Sequence, residues 1–375
     1  MKWMAACLGD AGAPGLGPDA APRYGPPVPP SPSQDVFRVG LIGYGLAGAS
    51  FHAPLLSVEP AFRLSAVATR SAEAVARDWP GARVLSVEAL LADPELELVI
   101  VATPNDSHAA LAERALLGGK HVVVEKPFTL DSAEAARLGA LARERGRCLA
   151  VFQNRRWDGD FLTVRRLLEE GRLGRLYSFE SHFDRYRPQV KRRWKEEAGP
   201  GGGTLWDLGA HLVDQALQLF GMPESITADV GKQRAEAQAV DWFHLLLRYG
   251  ELRVILRSGS VVHEPWPRFV LQGEADAYTK YGLDPQEEQL KAGLRPGMAG
   301  WGAEPPERHG RLSRGGIVPT MPGSYEHFYR ELAAAMAGEG PVPVTAESAW
   351  QVIRVLEAAL RSADEGRTVP CGLLA

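Results

Sequence analysis

Short unbroken apolar runs alternate with helical stretches over the first part of the chain, and apolar positions alternate singly over much of the second. Val39–Ile42, Arg63–Thr69 (RLSAVAT), Leu96–Ala102 (LELVIVA), Val122–Val124 and Cys148–Phe152 read as strands. Apart from Glu97, LELVIVA is apolar throughout, which marks a strand covered on both faces. Between the runs, Leu111–Leu117 and Asp131–Arg147 carry helical periodicity. The alternation predicts βαβ units and a parallel sheet from Val36 to about Val151. Further on, YSFESHF (177–183), HLLLRY and RVILRSG alternate as strands of a second sheet, and Tyr325–Met336 and Ala346–Ser362 read as closing helices.

Residues 282–323 are too long and too rich in Gly and Pro for an ordinary connection. They predict a partly ordered loop over a site or interface, with Tyr281, Trp301 and Tyr325 as candidates to line it. Residues 1–35, rich in Pro, Gly and Ala, offer little to bury and predict a disordered leader. The chain therefore divides into a leader (1–35), a first domain (36–153) and a second domain (154–375).

A length of 375 residues gives room for two cores. A net charge of −4 argues against nucleic acid or an anionic membrane as partner. The three cysteines are isolated, with no metal-ligand spacing, which fits a reduced, cytoplasmic setting and no metal. No apolar run approaches the ~20 residues that a bilayer requires.

The candidate chemistry begins after the first strand, at Gly43-Tyr44-Gly45-Leu46-Ala47-Gly48. Gly43 serves the tight turn, Gly45 lets a pyrophosphate approach the backbone, and Gly48 lets helix and strand pack closely. The helix that follows directs free N–H groups at the phosphates. About 20 positions on, where a site preferring NAD carries an acid, stand Thr69, Arg70 and Ser71. An arginine flanked by hydroxyls suits a 2′-phosphate, so NADP is expected over NAD.

The loop Thr103-Pro104-Asn105-Asp106-Ser107-His108 ends a central strand and is expected to lie under the nicotinamide half. Glu125-Lys126-Pro127 ends the next one. There the Lys126 ammonium can hydrogen-bond a hydroxyl that loses hydride. Asn154 and Arg155, with Arg156 and Trp157, suit a polyhydroxylated ligand, or alternatively an Arg–Asp network between domains. Arg156 and Asp158 are expected to hold that loop. The basic segment Arg185–Lys195 reads as a solvated lid near the cofactor phosphates.

After a glycine-rich run, Thr204 and Asp207 have the spacing of a capping box, so a helix is expected to start there. Asp207 and His211 then fall on one face, with Asp214 a turn further. A carboxylate beside the imidazole would orient it and raise its basicity, as a base near neutral pH requires.

GYGLAGASFH, TPNDSH and GKHVVVEKP together resemble the Gfo/Idh/MocA oxidoreductases, from about Val36 to the C-terminus. The resemblance implies an α/β protein, with an N-terminal Rossmann domain and a C-terminal α/β domain with an open, mostly antiparallel sheet. It implies that Lys126, Asp207 and His211 are catalytic and that Asn154, Arg155 and Asp214 contact substrate. A homodimer or homotetramer built through the second sheet is implied as well. Within the family, GYGLAGASFHAPLL, NRRWDGDFLT, SHFDRYRPQV and KYGLDPQEEQLKAG are most similar to NADP-dependent scyllo-inositol dehydrogenases. A cyclic polyol or sugar substrate follows from that similarity. Another dehydrogenase of the scaffold, acting on a sugar or dihydrodiol, and a non-enzymatic dinucleotide sensor both remain open.

Overall fold

The computed structural model describes residues 36–191 and 194–372. The expected leader lies outside them.

Strands β1 (Phe37–Ile42), β2 (Phe62–Ala68), β3 (Arg83–Leu85), β4 (Leu98–Val101), β5 (His121–Val124) and β6 (Leu149–Val151) form one parallel sheet, ordered β3-β2-β1-β4-β5-β6. All four residues of β4 are fully buried, as a strand covered by helices on both faces must be. The strand order reverses between β1 and β4, and a crevice opens at the carboxyl ends there. The glycine turn after β1 and the loops after β4 and β5 therefore meet at one edge.

The second sheet has nine strands: β7 (Leu176–His182), β8 (Ser225–Gly231), β9 (Trp242–Tyr249), β10 (Leu252–Gly259), β11 (Phe269–Gly273), β12 (Ala277–Lys280), β13 (Gly310–Leu312), β14 (Gly316–Val318) and β15 (Val369–Pro370). Their order is β14-β13-β12-β11-β7-β10-β9-β8-β15. All pairs are antiparallel except β7 with β10. Helices Ala210–Phe220 and Ala346–Glu365 share a core with the inward residues of these strands. The expected open, mostly antiparallel second sheet is what forms.

Three expectations need correction. Residues 282–323 hold a helix, Gln286–Lys291, and the strands β13 and β14. Their turns use glycines with positive φ, and Gln286 fixes the segment by donating to Trp157 O at 3.0 Å and accepting from Tyr325 N–H at 2.8 Å. Such polar ties leave no hydrophobic period to read. Next, the helix Glu326–Met336 packs through Phe328, Tyr329 and Leu332 into the core of the first sheet, although in sequence it lies within the stretch expected to form the second domain. Finally, no capping box forms at Thr204, which is already helical (φ −67, ψ −31) and whose side chain caps nothing. The helix opens instead as a π turn, Leu205–Gly209, a wider geometry common at functional sites.

Among the described residues, no helix is long and apolar enough to cross a membrane.

Candidate functional site

A cleft of about 960 Å³ runs from the glycine turn to the second domain. Gly43 has φ +100, and a Cβ there would meet Ala102 O at 2.4 Å. A Cβ on Gly48 would meet Gly43 O at 2.2 Å, so only glycine allows the helix to start so close to the strand. At Gly45 a Cβ would meet nothing within 4 Å, so the backbone is open to a ligand.

Tyr44, Leu46 and Ala47 line the same end, together with Thr69, Arg70 and Ser71. Ser71 N–H donates to Thr69 Oγ1 at 3.0 Å, which shapes the loop. Arg70 is exposed and has no ion pair or hydrogen bond among the described residues. An open backbone at a helix start and an uncommitted guanidinium suit the pyrophosphate and 2′-phosphate of a dinucleotide.

Thr103, Pro104, Asn105, His108, Glu125 and Lys126 line the middle of the cleft. Asn105 Nδ2 donates to Gly201 O at 2.9 Å and ties the first domain to the glycine run of the second. His108 is a brace. Its ring nitrogens face Pro127 O at 2.8 Å and Thr103 O at 3.0 Å, which ties the loop after β4 to the loop after β5.

At the far end, Lys126 Nζ donates to Asp207 Oδ1 at 3.0 Å and to Asp207 O at 2.8 Å. Lys195 Nζ donates to the same Oδ1 at 2.6 Å, and Arg185 lies 3.9 Å from Oδ2. Burial alone would raise the Asp207 carboxyl, but Lys126, Lys195 and Arg185 hold it well below the usual range. Burial lowers Lys126, with Asp207 opposing and Lys195 reinforcing the shift. His211 lines the cleft beside them. Its Nδ1 is buried without a partner among the described residues, which leaves Nε2 as the nitrogen open to the cleft.

Here the structure corrects the sequence reading. No hydrogen bond among the described residues joins Asp207 to His211, because two ammonium groups occupy the carboxylate. The imidazole is not made more basic. Burial and the charges of Lys126 and Arg155 push it well below 6.5, against the pull of Asp207.

Asp214 does not reach the cleft. It is 1% exposed and takes Arg156 through both oxygens, at 2.6 and 2.9 Å. Arg156 and Asp158 hold the loop as expected, the latter accepting from Tyr325 Oη at 2.7 Å.

Asn154 lines the cleft, and so does Arg155, whose guanidinium is largely spent on Glu287 (2.7 Å), Asp158 (3.4 Å) and the face of Phe183. Of the three aromatic candidates, Tyr281 is exposed and Trp301 donates to Glu326 at 2.9 Å, while Tyr325 is fully buried. None lines the cleft.

Of the basic segment, Arg185, Arg187 and Lys195 line the cleft, and Arg185 and Lys195 stand in the wall around Asp207. Glu287 and Lys291, joined at 2.7 Å, were hidden in the supposed loop. Their i, i+4 spacing in QEEQLK was the available signal.

Comparison with known proteins agrees with this architecture. Residues 37–153 match the oxidoreductase family model for an NAD-binding Rossmann fold, and residues 165–371 match its C-terminal alpha/beta domain. The chain is 44% identical to a scyllo-inositol 2-dehydrogenase (NADP(+)) of Bacillus subtilis, over 89% of this chain and 96% of that one. A putative oxidoreductase structure from Bacillus subtilis superposes with TM-score 0.88 at 43% identity, covering 90% of this chain and 99% of that chain. One from Yersinia pestis gives 0.85 at 43% identity, covering 90% and 97%. An uncharacterized oxidoreductase of Escherichia coli is 45% identical over 89% of this chain and 99% of that one. The chain belongs to the Gfo/Idh/MocA family of NAD(P)-dependent oxidoreductases.

Proposed function

We propose that this enzyme is an NADP-dependent dehydrogenase of a cyclic polyol, interconverting scyllo-inositol and scyllo-inosose. The observation that carries the reading is the meeting of Lys126, Asp207 and His211 at one end of a cleft whose other end is the glycine turn and Arg70. The specific polyol is supported by the 44% identity to the Bacillus subtilis enzyme.

The glycine turn and the loops after β4 and β5 would hold the dinucleotide, with Arg70 available to pair with a 2′-phosphate. When bound, the nicotinamide supplies the hydride chemistry. The Lys126 ammonium donates to the reacting hydroxyl and stabilises negative charge as it develops on that oxygen. Asp207 keeps that ammonium charged and in place. His211, held neutral near pH 7, accepts the hydroxyl proton at Nε2. Asn154 offers an amide to further hydroxyls of the ring, in a wall otherwise rich in charge.

The second sheet's outward face leaves Leu246 and Ile255 half-buried, and a homodimer or homotetramer would cover it.

A panel of inositols and sugars, each assayed with NADP+ and NAD+ by nicotinamide absorbance, tests the reading. The expected result is NADP+ reduction with scyllo-inositol. Turnover confined to sugars or dihydrodiols would overturn the substrate, and dinucleotide binding without turnover of any alcohol would overturn the enzymatic role.

A further inference from the structure

Next to Lys126, the mechanism leaves a buried imidazole without a task. His52, from the helical segment after the glycine turn, is fully buried. Its Nε2 lies 3.1 Å from Glu125 Oε1, and its Nδ1 lies 2.5 Å from the hydroxyl of Tyr329, on the helix Glu326–Met336. The remaining Glu125 oxygen accepts the Lys126 backbone N–H at 3.0 Å. An ionised carboxylate only accepts, so Nε2 carries a hydrogen toward Glu125; in the neutral imidazole the bare Nδ1 then accepts from the Tyr329 hydroxyl.

The rings of Phe152, centred 4.4 Å from the imidazole, and of Tyr329 pack against His52. Tyr329 is fully buried, whereas Glu125 lines the cleft. With one end sealed in the core, the row cannot pass a proton to solvent. It can only hold Glu125 still. The charged or titratable groups facing Glu125 are His52, Lys126 and His108, with Tyr329 behind His52.

We propose that His52 and Tyr329 are positioning residues that hold Glu125 as a fixed carboxylate beside Lys126, so that the cleft favours the cationic, oxidised dinucleotide over the reduced one. The inference rests on reading the cleft as a nicotinamide site. Burial would push the Glu125 carboxyl up, but the His52 hydrogen bond and nearby positive charge leave it below its ordinary value. Without the imidazole, the burial effect loses its main opponent.

The test measures NADP+ and NADPH dissociation constants separately, by calorimetry and by reduced-nicotinamide fluorescence, across the neutral pH range. It uses the full-length wild type and the His52→Leu, His52→Gln and Tyr329→Phe variants. In the wild type the ratio of the two constants is expected to stay level with pH. In His52→Leu, Glu125 takes up a proton as pH falls, and NADP+ binding is expected to weaken about tenfold on the acid side while NADPH binding holds. His52→Gln, whose amide nitrogen can reach the Nε2 position, is expected to restore the level ratio. Tyr329→Phe frees the other tautomer and is expected to shift the ratio in the same direction by less.

Equal weakening of both forms, or a level ratio in a folded His52→Leu variant, overturns the proposal. If the leucine variant does not fold, an unchanged ratio in Tyr329→Phe does so. Failure of the wild type to bind either dinucleotide would refute the cofactor reading itself, which separates the two outcomes.

Discussion

Replacement of Arg70 by serine is the sharpest probe of cofactor choice. The guanidinium stands exposed in the loop after β2 and has no ion pair among the described residues, so its removal breaks nothing inside the fold. The loop keeps its shape through the Ser71 to Thr69 hydrogen bond of 3.0 Å. The loss is then confined to charge-assisted hydrogen bonds to the 2′-phosphate. These contribute about 1.5–3 kcal/mol when well placed, and solvent exposure at Arg70 favours the lower figure. At ~1.4 kcal/mol per factor of ten, NADP+ affinity falls about tenfold in Arg70→Ser, while NAD+ affinity, which involves no such phosphate, stays constant. Arg70→Asp goes further. Its carboxylate repels the 2′-phosphate and accepts from a ribose hydroxyl, so preference turns toward NAD+. Calorimetric titration of each variant with both dinucleotides measures this. A parallel loss for NADP+ and NAD+, or unchanged NADP+ affinity, would refute the assignment of Arg70.

Other outcomes follow from the same geometry. Lys126→Met is expected to lower kcat by roughly 10²–10⁴, the range for losing a positioned donor at the reacting oxygen, while the dinucleotide dissociation constant changes little. Because burial, Lys126 and Arg155 depress His211, its neutral form persists as pH falls through 6.5. The kcat/KM for alcohol oxidation is therefore expected to stay level there and to fall only at more acid pH; a break at 6.5 would contradict the environment described. Asp214→Asn removes the negative charge opposite half-buried Arg156 and one of its two acceptor oxygens, with Ser348 Oγ still in reach, and is expected to lower stability by about 1–3 kcal/mol with KM for the polyol unchanged. A raised KM at full stability would return Asp214 to the substrate.

What the sequence disclosed was local. The glycine turn, the strand ending in Glu125-Lys126-Pro127 and the helix bearing His211 each carry their signal within a dozen residues, and all three arrive at the cleft. Inference failed where partners come from afar. Asp207 was matched with His211 by helical spacing, but Lys126 lies 81 positions away and takes the carboxylate from across the domain boundary. The π turn at Leu205–Gly209 also departs from the α geometry that such spacing assumes. Asp214 has the right residue type on the right helix, yet Arg156, 58 positions earlier, neutralises it in the interior. Glu287 and Lys291 sat in a stretch whose glycines and prolines disguised an ordered helix. The His52–Tyr329 contact spans 277 positions and leaves no periodic trace at all.

The most direct measurement is a crystal structure of the enzyme with NADP+ and scyllo-inositol bound together. The account predicts one ring hydroxyl within hydrogen-bond reach, about 3 Å, of both Lys126 Nζ and His211 Nε2. A polyol bound with its reacting hydroxyl away from either side chain would contradict it.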